Sequence, residues 1–173
     1  MRYAMRAARG YFNGKEIVGA EVGVFRGKSA ADTMYGMNNL KMLYLIDPYE
    51  MYEGYDNSPG NLVGAQAYAQ RQFDNKGFTN YTWMIKYFSA EIVPEPLDFI
   101  YIDGNHNYED VLFDIQEAKK IVKIDGVISG HDYYPIGHPR EHDFGVGKAV
   151  RESFSDDIIH ADRKDWWVFR KDE

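Results

Sequence analysis

In the stretch Glu16–Ser29, EIVGAEVGVFRGKS, a carboxylate (Glu21) precedes two spaced glycines (Gly23, Gly27), and Lys28 and Ser29 follow. Glycines suit a loop that cradles a ligand, because they tolerate unusual dihedrals and let a ligand approach the backbone. A helix starting after such a loop offers free N–H groups and the positive end of a dipole. The spacing lacks the G-x-G-x-x-G of a dinucleotide site, whose middle glycine meets the pyrophosphate. It also lacks the G-x-x-x-x-G-K-[ST] of triphosphate binding. Glu21 would repel a pyrophosphate but suits a ligand carrying an ammonium group. Asp47, which ends the apolar run Met42–Ile46, is placed to accept both hydroxyls of a ribose. A ligand with a ribose and an amine but no pyrophosphate is S-adenosylmethionine. Glu21, Gly23, Phe25, Gly27, Lys28, Ser29 and Asp47 are the cofactor-binding candidates on this reading.

These residues need elements to hold them. Residues 17–24 read as a buried first strand, and residues 28–37 as a helix with Ala30, Ala31, Met34 and Met37 on its apolar stripe. Further strands are predicted at 42–46, 81–85, 97–102 and 126–130; the unbroken apolar run at 42–46 suggests burial on both faces, as in a parallel sheet. The helix at 108–122 is the best written, with Val111, Leu112, Ile115, Ala118 and Val122 at helical spacing. Acids begin that helix and lysines end it, matching the macrodipole. Helices are also expected over 62–73 and 146–154. Residues 158–160 and 166–169 close the chain as an antiparallel pair joined by a charged turn, Asp162–Asp165. In residues 1–14, Tyr3, Ala7 and Ala8 suggest one face of a short helix covering an edge of the sheet. The loop at 48–61, PYEMYEGYDNSPGN, reads either as a lid or binding loop or as a mobile connection. The fold expected is a single α/β domain over residues 1–173, a Rossmann-like doubly wound sheet of seven strands, mainly parallel with an antiparallel last strand. In such sheets ligands bind beyond the carboxyl ends of the strands. That rule puts residues 21–27, Asp47, Ser89, Asp103, His131 and Asp132 on one rim.

Composition narrows the functional classes. A net charge of −7 argues against a general grip on nucleic acid phosphates. Without cysteine there is no disulfide framework, thiolate nucleophile or Cys-based zinc site. No stretch reaches the roughly 20 apolar residues of a membrane span, and the N-terminal MRYAMRAARGYF lacks the apolar core of a signal peptide. A soluble, cytoplasmic protein is expected.

Several motifs go together. E-x-G-x-x-x-G at Glu21–Gly27, LIDPY at Leu45–Tyr49, YIDGNHNYEDVLFDI at Tyr101–Ile115, GHDY at Gly130–Tyr133 and GVGKAV at Gly145–Val150 resemble class I S-adenosylmethionine-dependent methyltransferases. The resemblance is nearest to the small branch that includes macrocin-type sugar O-methyltransferases and cephalosporin-hydroxylase-like proteins, and it covers the chain from Lys15 onward. The glycine loop is weakly specific alone; the IDGxHxYE run with a later GHDY is much more so.

The resemblance implies O-methylation of a small hydroxylated acceptor, sugar-like or aromatic; from charge and hydropathy no nucleic acid or membrane partner is expected, and homo-oligomerisation is left open. Glu21 would hold the methionine amino end, Asp47 the ribose, Ser89 and its neighbours the adenine, and Asp103 the sulfonium side. A divalent cation is implied at Asp103, His131 and Asp132. Mg²⁺ prefers oxygen ligands. His131 therefore either ligates and favours Mn²⁺, Fe²⁺ or Zn²⁺, or points away and leaves the two carboxylates with water. His106, three residues after Asp103, stands where the catechol enzymes carry a lysine, and is a candidate general base; its alternative is packing at the start of helix 108–122. His138 and His142 read as solvated loop residues and His160 as structural. Tyr49, Tyr52, Tyr55, Tyr133 and Tyr134 are candidates to wall the acceptor pocket. A non-catalytic module that binds S-adenosylmethionine is the competing reading.

Overall fold

The computed structural model describes residues 1–51, 62–141, 144–155 and 158–171. Seven strands form one sheet: β1 (Ile17–Val22), β2 (Leu40–Ile46), β3 (Tyr81–Met84), β4 (Leu97–Ile102), β5 (Val122–Gly130), β6 (His160–Asp162) and β7 (Asp165–Phe169). Their order is β3-β2-β1-β4-β5-β7-β6. The first five are parallel, and β7 runs antiparallel to both β5 and β6. The helices are α1 (Tyr3–Tyr11), α2 (Lys28–Gly36), α3 (Ala65–Lys76), α4 (Tyr108–Ile121) and α5 (Val146–Ser153).

Alternation along the strands feeds two cores, as a period of two requires. Val18, Ala20, Ile100, Ile102 and Ile128 face one way, against Val111, Ile115 and Ala118 of α4 and Val146, Ala149 and Val150 of α5. Ile17, Leu43, Leu45, Phe99, Tyr101 and Val127 face the other way, against α1, α2 and α3. Trp166 and Trp167 split between the two cores in the same manner.

The strand order reverses between β1 and β4, which opens a crevice at their carboxyl ends. Parallel pairing continues one residue beyond each strand there. Gly23 N–H donates to the Ile46 carbonyl at 2.9 Å, Asp47 N–H to Met84 at 3.2 Å, Asp103 N–H to Val22 at 2.8 Å, and His131 N–H to Ile102 at 3.0 Å. Four residues from different parts of the chain are thereby fixed along one rim.

Several boundaries differ from the sequence reading. Helix α1 buries Ala4, Met5 and Ala8 rather than Tyr3 and Ala7, and it lies across β4, β5, β7 and β6 on a face of the sheet, not along an edge. Helix α3 starts at Ala65, because Gly64 before it is left-handed. Helix α4 gives way at Val122 directly to β5, four residues before the expected start, with Asp125 at φ 61°. Strand β6 is an exposed edge over 160–162, and the turn joining it to β7 is Arg163–Lys164. Asp165, expected in that charged turn, is instead buried as the first residue of β7. The expected lid lies mostly outside the described residues, as do Tyr52, Tyr55 and His142.

Gly27 holds the loop-to-helix junction at φ 72°, and a Cβ there would lie 2.7 Å from both Ala69 Cβ and Phe73 Cζ. Gly27→Ala combines left-handed strain with a clash against α3. It is expected to cost about 1–3 kcal/mol of stability, read by denaturant unfolding.

Candidate active site

A cavity of about 670 Å³ opens at the β1/β4 crevice. One wall is the glycine loop with Glu21, Phe25, Lys28, Ser29 and Asp47; the opposite wall is Asp103–Asn107 with Asp110, Phe113 and Asp114. Gly23 is glycine for the sake of the crevice itself. Its φ is 83°, and a Cβ would lie 2.1 Å from the Asp103 carbonyl.

Asp47 holds the loop. Its Oδ2 accepts the N–H groups of Val24 (2.9 Å) and Phe25 (2.8 Å), and its Oδ1 accepts that of Tyr49 (2.8 Å). Phe25 and Tyr49 both have positive φ, at 49° and 53°, a costly conformation for bulky side chains. The Tyr49 hydroxyl also donates to the Phe25 carbonyl at 2.9 Å. One carboxylate thus ties down two strained residues on facing turns. Burial pushes the Asp47 carboxyl up from its ordinary value, against the opposing pull of its three N–H donors.

Glu21 lies in β1 with its side chain fully enclosed, ahead of the loop. Burial pushes its carboxyl well above the ordinary range, and the neighbouring Asp103 adds to this. Arg2, the Ser29 hydroxyl and the Ala30 amide at the start of α2 pull the other way. Lys28 turns outward to pair with Asp32 at 3.7 Å. Ser89 caps the short 3₁₀ turn Ala90–Ile92 and does not line the cavity, whereas its neighbours Tyr87 and Phe88 do. Across the cavity Asp114, half-buried on α4, has its carboxyl pushed up to about 7 by burial, with Asp110 and Glu117 adding to it.

At the ends of β4 and β5, four groups converge. The His106 Nε2 is 3.2 Å from Asp132 Oδ2 and 3.8 Å from Asp103 Oδ1. The His131 Nδ1 is 3.3 Å from Asp132 Oδ2 and 3.6 Å from Asp103 Oδ1. Asp103, His131 and Asp132 each offer a ligand atom, all within 4.8 Å of one another, so the three residues fit a single cation. Asp132 sits at φ 54°, a left-handed backbone that turns its carboxylate toward the histidines. Burial works against its charge, but His131, His106 and Lys164 outweigh that and hold its carboxyl down at about 2. His106 also packs on Phe144, and its carbonyl accepts the Gly145 N–H at the start of α5. The packing expected of His106 is thus present, and its Nε2 faces the two carboxylates.

Sequence reasoning missed the residues behind these groups. The Arg2 guanidinium meets Asp103 Oδ2 at 3.1 Å and His131 Nε2 at 2.5 Å. Lys164 Nζ donates to Asp132 Oδ1 at 3.4 Å. Buried Asp165 accepts from the Tyr101 hydroxyl at 3.0 Å and the Ala4 amide at 3.1 Å, with Oδ1 3.9 Å from His131 Nε2. Asp165 gave one signal, an acid abutting the apolar run WWVF; Arg2 gave none. The aromatic wall is Phe25, Tyr87, Phe88 and Phe113. The three expected tyrosines among the described residues lie elsewhere: Tyr133 is in the core, Tyr134 stacks on His138, and Tyr49 braces the loop. His160 stacks on Trp167, a structural position as expected.

Residues 20–133, more than half of the chain, match the family described as "Methyltransferase domain". The chain belongs to that methyltransferase family. Its sheet is the Rossmann-like fold of class I S-adenosylmethionine-dependent enzymes. The O-methyltransferase NovP superposes with a TM-score of 0.62 at 17% identity, over 97% of this chain and 79% of that one. CalS11, a TDP-rhamnose 3′-O-methyltransferase, gives 0.66 at 15% over 98% and 78%. An rRNA methylase from Streptococcus thermophilus gives 0.67 at 11% over 99% of both chains. At these identities the likeness is one of fold. No curated protein matches the chain in sequence. Among the described residues, no helix of this methyltransferase is long and apolar enough to cross a membrane.

Two measurements test the glycine-loop half of the site. Asp47→Ala leaves three loop amides without their acceptor and is expected to cost about 2–4 kcal/mol; hydrogen exchange should quicken first at Val24, Phe25 and Tyr49. A ligand's ammonium group seated against Glu21 would restore that carboxylate's charge. Binding of S-adenosylhomocysteine is then expected to release protons and to tighten as pH rises through the raised pKa of Glu21. Calorimetry in buffers of different ionisation enthalpy reads the release, and proton uptake would contradict this placement.

Proposed function

We propose that this methyltransferase transfers the methyl group of S-adenosylmethionine to the hydroxyl of a small acceptor, sugar-like or aromatic, with a divalent cation on the acceptor side. The observation that carries the reading is the convergence of Asp103, His106, His131 and Asp132 beside a cavity whose other wall is the glycine loop. The shared fold of NovP and CalS11, both O-methyltransferases, supports it, as does the motif resemblance to the macrocin-type branch. The net charge of −7 favours a small acceptor over RNA.

Asp103, His131 and Asp132 would hold the cation, and this mixed oxygen and nitrogen set suits Mn²⁺, Fe²⁺ or Zn²⁺ better than Mg²⁺. When bound, such a cation supplies Lewis-acid polarisation of an acceptor hydroxyl, and S-adenosylmethionine supplies the methyl group. The chain's own residues bind, orient and move a proton. Asp47 keeps the glycine loop in the shape that a ligand meets. Asp132, ionised across the working pH range, stabilises positive charge on the His106 ring. That allows His106 to take the hydroxyl proton at Nε2. Phe25, Tyr87, Phe88 and Phe113 exclude water and offer flat faces to a ring.

Transfer of a labelled methyl group to a panel of sugars and catechols, with Mn²⁺ or with EDTA, tests the proposal. Asp132→Asn is expected to retain binding of S-adenosylhomocysteine but lose cation-stimulated transfer. His106→Gln is expected to lower kcat by about 10²–10⁴. Undiminished transfer in EDTA contradicts the cation's part. Binding of S-adenosylhomocysteine without transfer to any hydroxyl favours a non-catalytic binding module.

A further inference from the structure

The four atoms that converge are Asp103 Oδ1, His106 Nε2, His131 Nδ1 and Asp132 Oδ2. Outward-facing atoms of the same residues meet cationic side chains. Lys164 takes Asp132 Oδ1, and Arg2 takes both Asp103 Oδ2 and His131 Nε2. Such outer partners orient ligating groups and fix the tautomer of a ligating histidine. Here the outer partner of His131 has the wrong polarity for a ligand. A guanidinium has only donors, so with the ring neutral the nitrogen 2.5 Å from Arg2 Nη1 is the acceptor. In a neutral imidazole the other nitrogen then carries the proton. That nitrogen is Nδ1, which faces Asp103 and Asp132, and a protonated nitrogen cannot ligate.

A second acceptor stands ready on the outer side. Asp165 Oδ1 lies 3.9 Å from His131 Nε2 and is held in place by the Tyr101 hydroxyl, while its Oδ2 receives the Ala4 amide in the first turn of α1. If the ring proton moves to Nε2, Asp165 can accept it and Nδ1 becomes free. The Arg2 N–H would then oppose the Nε2–H and must leave His131, but it can keep its bond to Asp103 Oδ2. Arg2 immediately precedes α1, so its release bears on how the start of that helix sits over the rim.

We propose that Arg2 is a latch on the cation centre. By donating to Nε2 it holds His131 in the tautomer protonated at Nδ1, and a divalent cation gains Nδ1 only when Arg2 releases the ring and Nε2–H turns to Asp165. The proposal rests on the cation reading given above, and it makes Arg2 a positioning residue that acts through His131.

Zn²⁺ is the probe, because it is diamagnetic. Two-bond ¹⁵N–¹H correlations of the histidine rings report tautomers, with His131→Asn identifying the resonance. Wild-type protein without metal is expected to show His131 protonated at Nδ1, and Zn²⁺ should convert it to an Nε2–H ring. Arg2→Ala is expected to show Nε2–H before metal is added and to bind Zn²⁺ at least about tenfold more tightly by calorimetry. Arg2→Lys separates the latch from simple charge, since it keeps the charge but replaces the fork of Nη1 and Nη2, which meet His131 and Asp103 separately, by a single nitrogen. It is expected to follow Arg2→Ala in tautomer and in tightening. Tightening in Arg2→Ala alone, with the tautomer unmoved in both variants, is a charge effect and overturns the latch. A wild-type His131 already protonated at Nε2, or equal Zn²⁺ affinity in all three proteins, overturns the latch and leaves the cation centre standing. Failure of Zn²⁺ to bind any of them overturns both.

Discussion

Parallel pairing does not stop at the last strand residue, and the rim depends on that. The Asp103 amide is held by the Val22 carbonyl and the His131 amide by the Ile102 carbonyl. These bonds place β4 and β5 end residues side by side, so that groups far apart in sequence approach to within a few ångströms. The same pairing brings Gly23 against β2 and Asp47 against β3. Both walls of the cavity are thus built on strand ends, which position groups more closely than free loops do. Strand order supplies the rest, because the reversal between β1 and β4 is what leaves room for a ligand.

The two walls differ in electrostatic design. On the glycine-loop side, Glu21 is enclosed, close to Asp103 and poor in compensating charge, so its carboxyl holds its proton far above the ordinary range. A cationic group arriving there would recover that energy. On the opposite side the carboxylates are compensated from behind by Arg2 and Lys164, and both histidines face Asp132. Asp132 is therefore ionised over the whole working range. One wall awaits a charge, while the other already has its countercharges in place.

The parts legible in the sequence are those written in local pattern. The apolar runs of β1, β2 and β4 named the buried parallel strands, and the spacing of Val111, Ile115 and Ala118 named α4. Glycines and terminal acids then marked the rim. Asp103, His131 and Asp132 were legible because each ends such a run. Boundaries set by tertiary pairing were less legible: β5 starts at Val122 because Leu97 pairs with it across an irregular register, which no local pattern announces. Ser89 was a near miss, as the chain presents its neighbours Tyr87 and Phe88 to the cavity instead. Arg2 was illegible, and Asp165 nearly so, for a different reason. Their roles come from contacts spanning most of the chain, and a single arginine before a weakly patterned helix looks like any solvated residue.

In the function proposed, one rim seats the methyl donor on the glycine-loop side and a divalent cation on the acceptor side. The most direct test is a crystal structure of the protein grown with S-adenosylhomocysteine and Mn²⁺, with anomalous data collected to locate the metal. The account predicts the amino end of the ligand beside Glu21 and Gly23, and one anomalous peak among Asp103, His131 and Asp132. A ligand seated elsewhere, or no manganese at those three residues while the ligand is bound, would contradict it.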